Sequence, residues 1–128
     1  MKNLEFDLIA RHIVSVKDLG AADRLFGGTM LSWLDEAGAS YALLQARVTN
    51  LATRHIEAMD FIAPGRLGDV LGIYGRVANF GKTSISIEMQ VLAEDPASSA
   101  TREIVHTTFV FVAVDKWGKK ARIRRKSE

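Results

Sequence analysis

Cysteine is absent from the 128 residues of this chain. That absence excludes disulfides, thiolate metal sites and cysteine nucleophiles. Proline is scarce, with Pro64 and Pro96 alone, and each falls among turn-forming residues rather than inside a periodic run. No apolar run approaches the ~20 residues of a membrane span. The N-terminus, MKNLEFDLIARHIV, mixes charged and apolar residues and lacks the continuous apolar stretch of a signal peptide. A cytoplasmic location is therefore expected. Positive charge is also scarce over most of the chain. Residues 116–128 hold seven of the 17 Lys and Arg and one of the 15 acidic residues, leaving ten basic against fourteen acidic elsewhere, a net of −4. The basic character is a C-terminal tail, expected over 119–128, on a single domain spanning 1–118. General nucleic-acid binding wants basic and aromatic residues interleaved over a surface, which the body does not offer.

What the chain has is apolar residue, 48% of the total, enough for one compact core. The most informative stretch is FGGTMLSWLDEAGAS, residues 26–40. Its spacing predicts one long helix from Gly27 or Thr29 to about Gln45. Gly28 and Asp35 are seven residues apart, about two turns, so they share a side with Leu31 and Ser32. A carboxylate on a largely apolar face needs a reason, because an unpaired buried charge is costly. The glycines let a ligand approach the backbone closely, and amides at a helix start attract negative charge. Together they read as a carbonyl-polarising site with an acidic partner.

Around the helix the pattern is β. Residues 4–16 and 52–61 read as strands, with a loop at 17–25 and a turn in IAPGRLGD. VLGIYGRVANF (70–80) alternates through Ile73, Gly75 and Val77. KTSISIEMQVLAE (82–94) alternates strictly, Ile85, Ile87, Met89 and Val91 against Ser84, Ser86, Glu88 and Gln90, the period of a half-buried strand. AEDPASSA is a turn, and TREIVHTTFVFVAVD (101–115) is a long β-branched and aromatic strand. Consecutive strands with short connections are expected to pair antiparallel. The fold class is α+β, a curved antiparallel sheet against one helix. Its exposed edges point to self-association.

The succession FGG, a helix carrying DEAGA, MDFIAPGRLGD, GKTSISI and FVFVAVDKWGK resembles the hotdog-fold acyl-CoA thioesterases, most nearly the cytosolic acyl-CoA hydrolase branch. The resemblance covers about residues 8–120. It implies a long central helix wrapped by the sheet, and a homodimer often assembled further into a trimer of dimers, with active sites at the dimer interface. It implies acyl-CoA as substrate, CoA being part of the substrate, with water as co-reactant and no metal or other cofactor. Gly27 and Gly28 would polarise the thioester carbonyl, and Asp35 would act as nucleophile or as general base on water. Phe26, Arg54, Phe61, Lys82, Thr83 and Ser84 are the substrate-contacting candidates the resemblance implies, with the GKTS turn near the CoA arm. Arg66, Lys119, Lys120 and Arg122 are weaker candidates for the nucleotide phosphates. Neither a nucleic acid nor a membrane is expected as a partner.

Members of this branch often carry an asparagine six residues before the Phe of FGG and a glycine three before it. This chain has Gly20 and Asp23 there. That departure motivates an alternative, a non-catalytic hotdog protein that binds acyl-CoA as sensor or carrier. A structural assembly module without a CoA site is a third reading. His12, His55 and His106 have no metal-ligand spacing and read as strand-face residues. With none between 17 and 50, a hydroxyacyl dehydratase, which uses a histidine near the helix, is disfavoured. GKT lacks the remainder of a phosphate loop, and no helix follows it. Met30 and Trp33 read as packing residues. Phe61 either lines the acyl tunnel or packs the core, and Glu36 reads as surface charge.

Overall fold

A computed structural model of the chain describes residues 5–123. Five strands form one antiparallel sheet: β1 (Asp7–Ile13), β2 (Leu51–Phe61), β3 (Val70–Phe80), β4 (Ser84–Glu94) and β5 (Thr101–Ala113). Their order across the sheet is β1-β3-β4-β5-β2. One helix, α1 (Gly27–Ala46), lies across its inner face.

The alternation in β4 decides which face is inner. Ile85, Ile87, Met89 and Val91 are all fully buried, while the intervening Ser84, Ser86, Glu88 and Gln90 are partly exposed. Across the ladder, Phe111 and Phe109 of β5 pair with Ile85 and Ile87, and Ile73 of β3 pairs with Val91. Onto this surface α1 sets Met30, Leu34, Ala37, Gly38, Ala42 and Ala46. Burying each large aliphatic side chain contributes about 1.5–3 kcal/mol. Gly38 lets α1 approach the sheet closely. A Cβ there would lie 2.9 Å from Met89 Cε and 3.2 Å from Phe111 Cζ. The helix-propensity cost of the glycine, about 1 kcal/mol, is thus balanced by a closer fit.

The expected strands and helix are all present within a few residues of their anticipated limits. Two differences matter. The segment expected as loop at 17–25 is instead shaped by two single turns of 3₁₀ helix, Val16–Asp18, which begins one residue before it, and Ala21–Asp23. And β2 does not pair with β3, although only residues 62–69 connect them. Instead β2 joins β5 at the far edge, because the β3–β4–β5 meander already fills the sheet between them. β2 is therefore an edge strand, and residues 52–58 are all exposed.

The expected tail boundary at 118/119 falls inside a paired structure. Ala121 N–H donates to Ala113 O at 2.8 Å, and Ile123 N–H to Lys82 O at 2.8 Å, with Ile123 itself buried. The remainder of the tail, 124–128, lies outside the described residues. Among the described residues no helix is long and apolar enough to cross a membrane.

Candidate active site

The entry to α1 is built from residues with no acceptor of their own. Phe26 is the N-cap and makes no side-chain cap bond, and no acidic residue occupies the first turn. Its carbonyl accepts the Met30 N–H at 3.1 Å. The amides of Gly27, Gly28 and Thr29 precede the first intrahelical donor and are left facing outward. Both glycines are exposed. The segment before them is fixed on two sides: Phe26 N–H donates to Asp18 O at 2.9 Å, and Leu25 N–H to Gly65 O at 2.8 Å. Asp18 is itself buried and accepts from Ser15 N–H and Ser15 Oγ, both at 2.9 Å. The Ser15 amide holds its carboxyl below the usual aspartate range, against the opposing effect of burial.

The helical face anticipated from spacing forms one wall of a cavity of about 360 Å³. Gly28, Leu31, Ser32 and Asp35 line it from α1, and Thr53, Ile56 and Phe109 from the sheet. Asp35 is half-buried. Its Oδ1 accepts a 2.6 Å hydrogen bond from Thr53 Oγ1. The charge on the apolar face thus has a partner, and this partner fixes which way the carboxylate turns.

Thr53 was not among the residues singled out from sequence, and the reason is a β-bulge. In a regular strand Thr53 and Ile56, three apart, face opposite sides. Here the pairing steps from Thr53–Phe111 to His55–Val110, so Arg54 is an extra residue. The bulge turns Thr53 and Ile56 to the same face, opposite the buried Phe111 and Phe109. A second irregularity between Glu57 and Asp60 brings Phe61 opposite Val105 on that face as well.

A second cavity, of about 320 Å³, lies on the other flank of the helix start. Gly27, Met30, Phe61, Ile62, Pro64 and Ile104 are among its walls. Phe61 is exposed, and its Cζ would lie 3.7 Å from a Cβ added at Gly27. The connection forming one wall is latched from behind. Arg102 Nη2 donates to Asp69 Oδ2 at 2.7 Å and to Pro64 O at 3.1 Å, while Asp69 Oδ2 also accepts Arg66 N–H at 2.8 Å. Asp69 of the P-G-R-L-G-D turn is thus engaged by its own loop and by β5.

Of the anticipated site residues, Gly27, Gly28, Asp35 and Phe61 line these two cavities, with Phe26 at the helix cap between them. Arg54 is exposed on the β2 bulge next to Thr53. Lys82, Thr83 and Ser84 are not among the walls of either cavity. Lys82 and Thr83 lie in the β3–β4 turn and Ser84 opens β4; Thr83 O accepts Ala113 N–H at 2.8 Å. Glu36 is exposed. Met30 is fully buried, and Trp33 stacks on His12 at 4.2 Å. His106 lies on the outer sheet face, 2.7 Å from Glu88, which also accepts from Arg76 Nε at 2.8 Å. Burial pushes the Glu88 carboxyl up, but the His106 and Arg76 contacts outweigh it and hold it below the usual range.

Gly20 and Asp23, the departures from the family pattern, have structural consequences. The Phe26 ring sits against Gly20 on one side and Gly28 on the other. A Cβ at Gly20 would lie 3.0 Å from Phe26 Cδ1, and one at Gly28 2.6 Å from Cε2. A side chain at position 20 would require the ring to move. Asp23 has φ +53° and Ala22 φ +64°. The left-handed conformation at 23 explains why glycine suits that position.

A helix whose uncapped start and single carboxylate face one cavity, wrapped by a five-stranded sheet, defines a hotdog-fold protein of the thioesterase class. The chain belongs to the Thioesterase superfamily, which it matches over residues 23–100. It is 34% identical to an acyl-CoA thioester hydrolase of Haemophilus influenzae over 125 residues, covering 94% of this chain and 79% of the relative. It is 35% identical to the acyl-CoA thioester hydrolase YciA of Escherichia coli over 118 residues, 88% of this chain and 87% of that one. Among solved structures it superposes on a hexameric thioesterase of Yersinia pestis with TM-score 0.85 at 30% identity, covering 92% and 95% of the two chains.

Proposed function

We infer that this chain hydrolyses acyl-CoA thioesters to the free acid and CoA, with Asp35 as the reacting carboxylate. The observation that carries this reading is the placement of Asp35 and Gly28 on one wall of one cavity, with Thr53 orienting the carboxylate. A thioester carbonyl seated at the helix start would direct its oxygen to the amides of Gly27 and Gly28. As attack proceeds that oxygen gains charge, and donors already in place are worth several kcal/mol there. Asp35 then has two chemical options. It attacks the carbonyl carbon itself and forms an anhydride that water opens, or it takes the proton of a water that attacks. With Oδ1 engaged by Thr53, Oδ2 is the oxygen available for either role. CoA leaves as the thiolate and takes up a proton. No metal enters these steps. Phe26, Phe61 and Arg54 are assigned to substrate contact around the helix start, and Lys82, Thr83 and Ser84 to the CoA arm.

The site is completed by a second copy. β2 carries unpaired backbone along its outer edge, and Ile56 and Phe61 on it are exposed. Antiparallel pairing of two β2 edges would cover both residues and enclose the shallow Asp35 cavity. The Lys82–Ser84 turn would then serve the substrate held by another copy. The hexameric state of the Yersinia pestis neighbour supports assembly of such dimers in threes. A dimer-only protein in solution would remove that last step.

Gly20 favours one other reading, an acyl-CoA-binding protein without turnover. Both are tested by thiol release from short, long and aromatic acyl-CoAs, with Asp35→Ala alongside. Release by the parent protein that disappears in the variant supports the hydrolase. Binding without release in the parent supports the sensor or carrier.

A further inference from the structure

The basic C-terminal segment remains outside the proposed chemistry, and its visible part is an ordered surface. After β5 the chain makes a tight turn over Asp115–Lys119, with Gly118 in the left-handed region at φ +79°. Asp115 O accepts Gly118 N–H at 2.9 Å, and Asp115 N–H donates to Lys119 O at 2.7 Å. Asp115 Oδ1 accepts the amides of Trp117 and Lys119 at 2.9 and 3.0 Å. The one acidic side chain within residues 114–123 is therefore occupied in holding the turn. At its tip Trp117 is 73% exposed, with Lys116 Nζ 4.7 Å above its ring. Lys119, Lys120 and Arg122 are exposed on the returning segment, and the bond from Ile123 N–H to Lys82 O brings exposed Lys82 to the same end. In sequence Arg124, Arg125 and Lys126 follow.

A large aromatic ring held in water on a pinned turn, with Lys116 over it and Lys119, Lys120 and Arg122 exposed just after it, is an arrangement that core packing does not account for. An indole prefers the boundary between water and hydrocarbon, where its ring is dry and its N–H wet. Lysines and arginines around it would meet anionic headgroups, with their methylene stems lying along the surface. We propose that this end of the protein docks on an anionic lipid surface, with Trp117 entering the interface and Lys116, Lys119, Lys120 and Arg122 neutralising headgroups. The expectation of no membrane partner rested on the lack of a spanning segment, and a surface contact needs none. A nucleic acid fits less well. The turn offers a single aromatic, and residues 1–115, at net −4, would repel an extended polyanion. That same negative body favours approach to an anionic surface through the basic segment.

The test uses the full chain with vesicles of phosphatidylcholine alone and of phosphatidylcholine with phosphatidylglycerol. Binding is read by co-sedimentation and tryptophan emission at low and high salt. The expected result is binding to the anionic vesicles only, weakened by salt, with a blue shift that vanishes in Trp117→Phe. Neutralising one lysine should lower the partition about fivefold, the fold-change for one cation near such a surface. Lys116→Gln with Lys119→Gln should therefore lower it about 25-fold. No binding to anionic vesicles at low salt overturns the proposal. So does equal binding to neutral ones, or an unchanged partition in the double variant. Single-stranded oligonucleotide binding without vesicle binding assigns the tip to nucleic acid. A raised KM for short acyl-CoAs in the double variant, again without vesicle binding, assigns it to the substrate's phosphates.

Discussion

Replacing Thr53 with valine removes one hydroxyl and keeps the shape and strand preference of the residue. What it removes is the donor 2.6 Å from Asp35 Oδ1. A hydrogen bond to a charged acceptor contributes about 1.5–3 kcal/mol when shielded. Here Thr53 is exposed and Asp35 half-buried, so water can partly replace the hydroxyl and the loss falls to about 1–2 kcal/mol. If the bond acts by aiming the carboxylate, that loss falls on the reaction step, and kcat should drop about 5- to 30-fold. KM should change little, because the hydroxyl faces the carboxylate and not the body of the substrate. Thr53→Ser keeps the donor and should recover most of the rate. Steady-state thiol release for the three proteins decides it. A valine variant within about twofold of the parent, beside an inactive Asp35 variant, would show that Asp35 is oriented by something else. Equal damage in the serine and valine variants would point to packing.

Ala22→Gly relieves a left-handed residue at φ +64°. The strain is about 1 kcal/mol, partly offset by the extra chain entropy of glycine, so a gain of about 0.5 kcal/mol is expected by urea denaturation. Asp23→Gly should gain less, since aspartate tolerates that region better. Arg102→Met cuts the bonds to Asp69 and Pro64. For a partly exposed pair this should cost about 1 kcal/mol by the same measurement, and Asp69→Ala should cost more because Arg66 N–H loses its acceptor too. Asp18 has a folded pKa depressed below its ordinary 3.8 by the Ser15 amide. Its contribution is therefore present above 3.8 and is lost as pH falls through the lower folded value. Asp18→Asn should lower stability at neutral pH and flatten the decline of stability in acid. An unchanged acid limb would mean that other carboxylates dominate it.

How far the sequence could be read depended on whether side-chain period alone decided the outcome. Strict alternation in β4 gave its inner face directly, and the apolar, β-branched run of β5 marked it as a strand. The seven-residue spacing of Gly28 and Asp35 put both on one wall, since nothing interrupts α1 between them. β2 was legible as a strand but not by face, because two bulges shift its phase and a bulge leaves no mark in the alternation. Thr53 was hidden for that reason. The position of β2 at the sheet edge was hidden too, since a short connection to β3 ordinarily signals pairing. Gly20 could be recognised as a departure, but its physical meaning, room for the Phe26 ring, depends on a contact between residues six apart in a loop. The basic segment read as a tail because charge density says nothing of the backbone pairing that holds residues 119–123.

If Asp35 does the chemistry at a site that binds acyl-CoA independently of it, replacing its carboxylate should abolish turnover and spare binding. The most direct test is thiol release by Asp35→Asn, measured beside its affinity for a non-hydrolysable acyl-CoA thioether. The amide keeps the size and the acceptor that faces Thr53 but can neither attack a carbonyl at a useful rate nor take a proton. Near-parental affinity with release reduced by about a thousandfold or more is the predicted result. Release within tenfold of the parent would contradict the claim and leave the reacting group to be sought on another residue of the assembly.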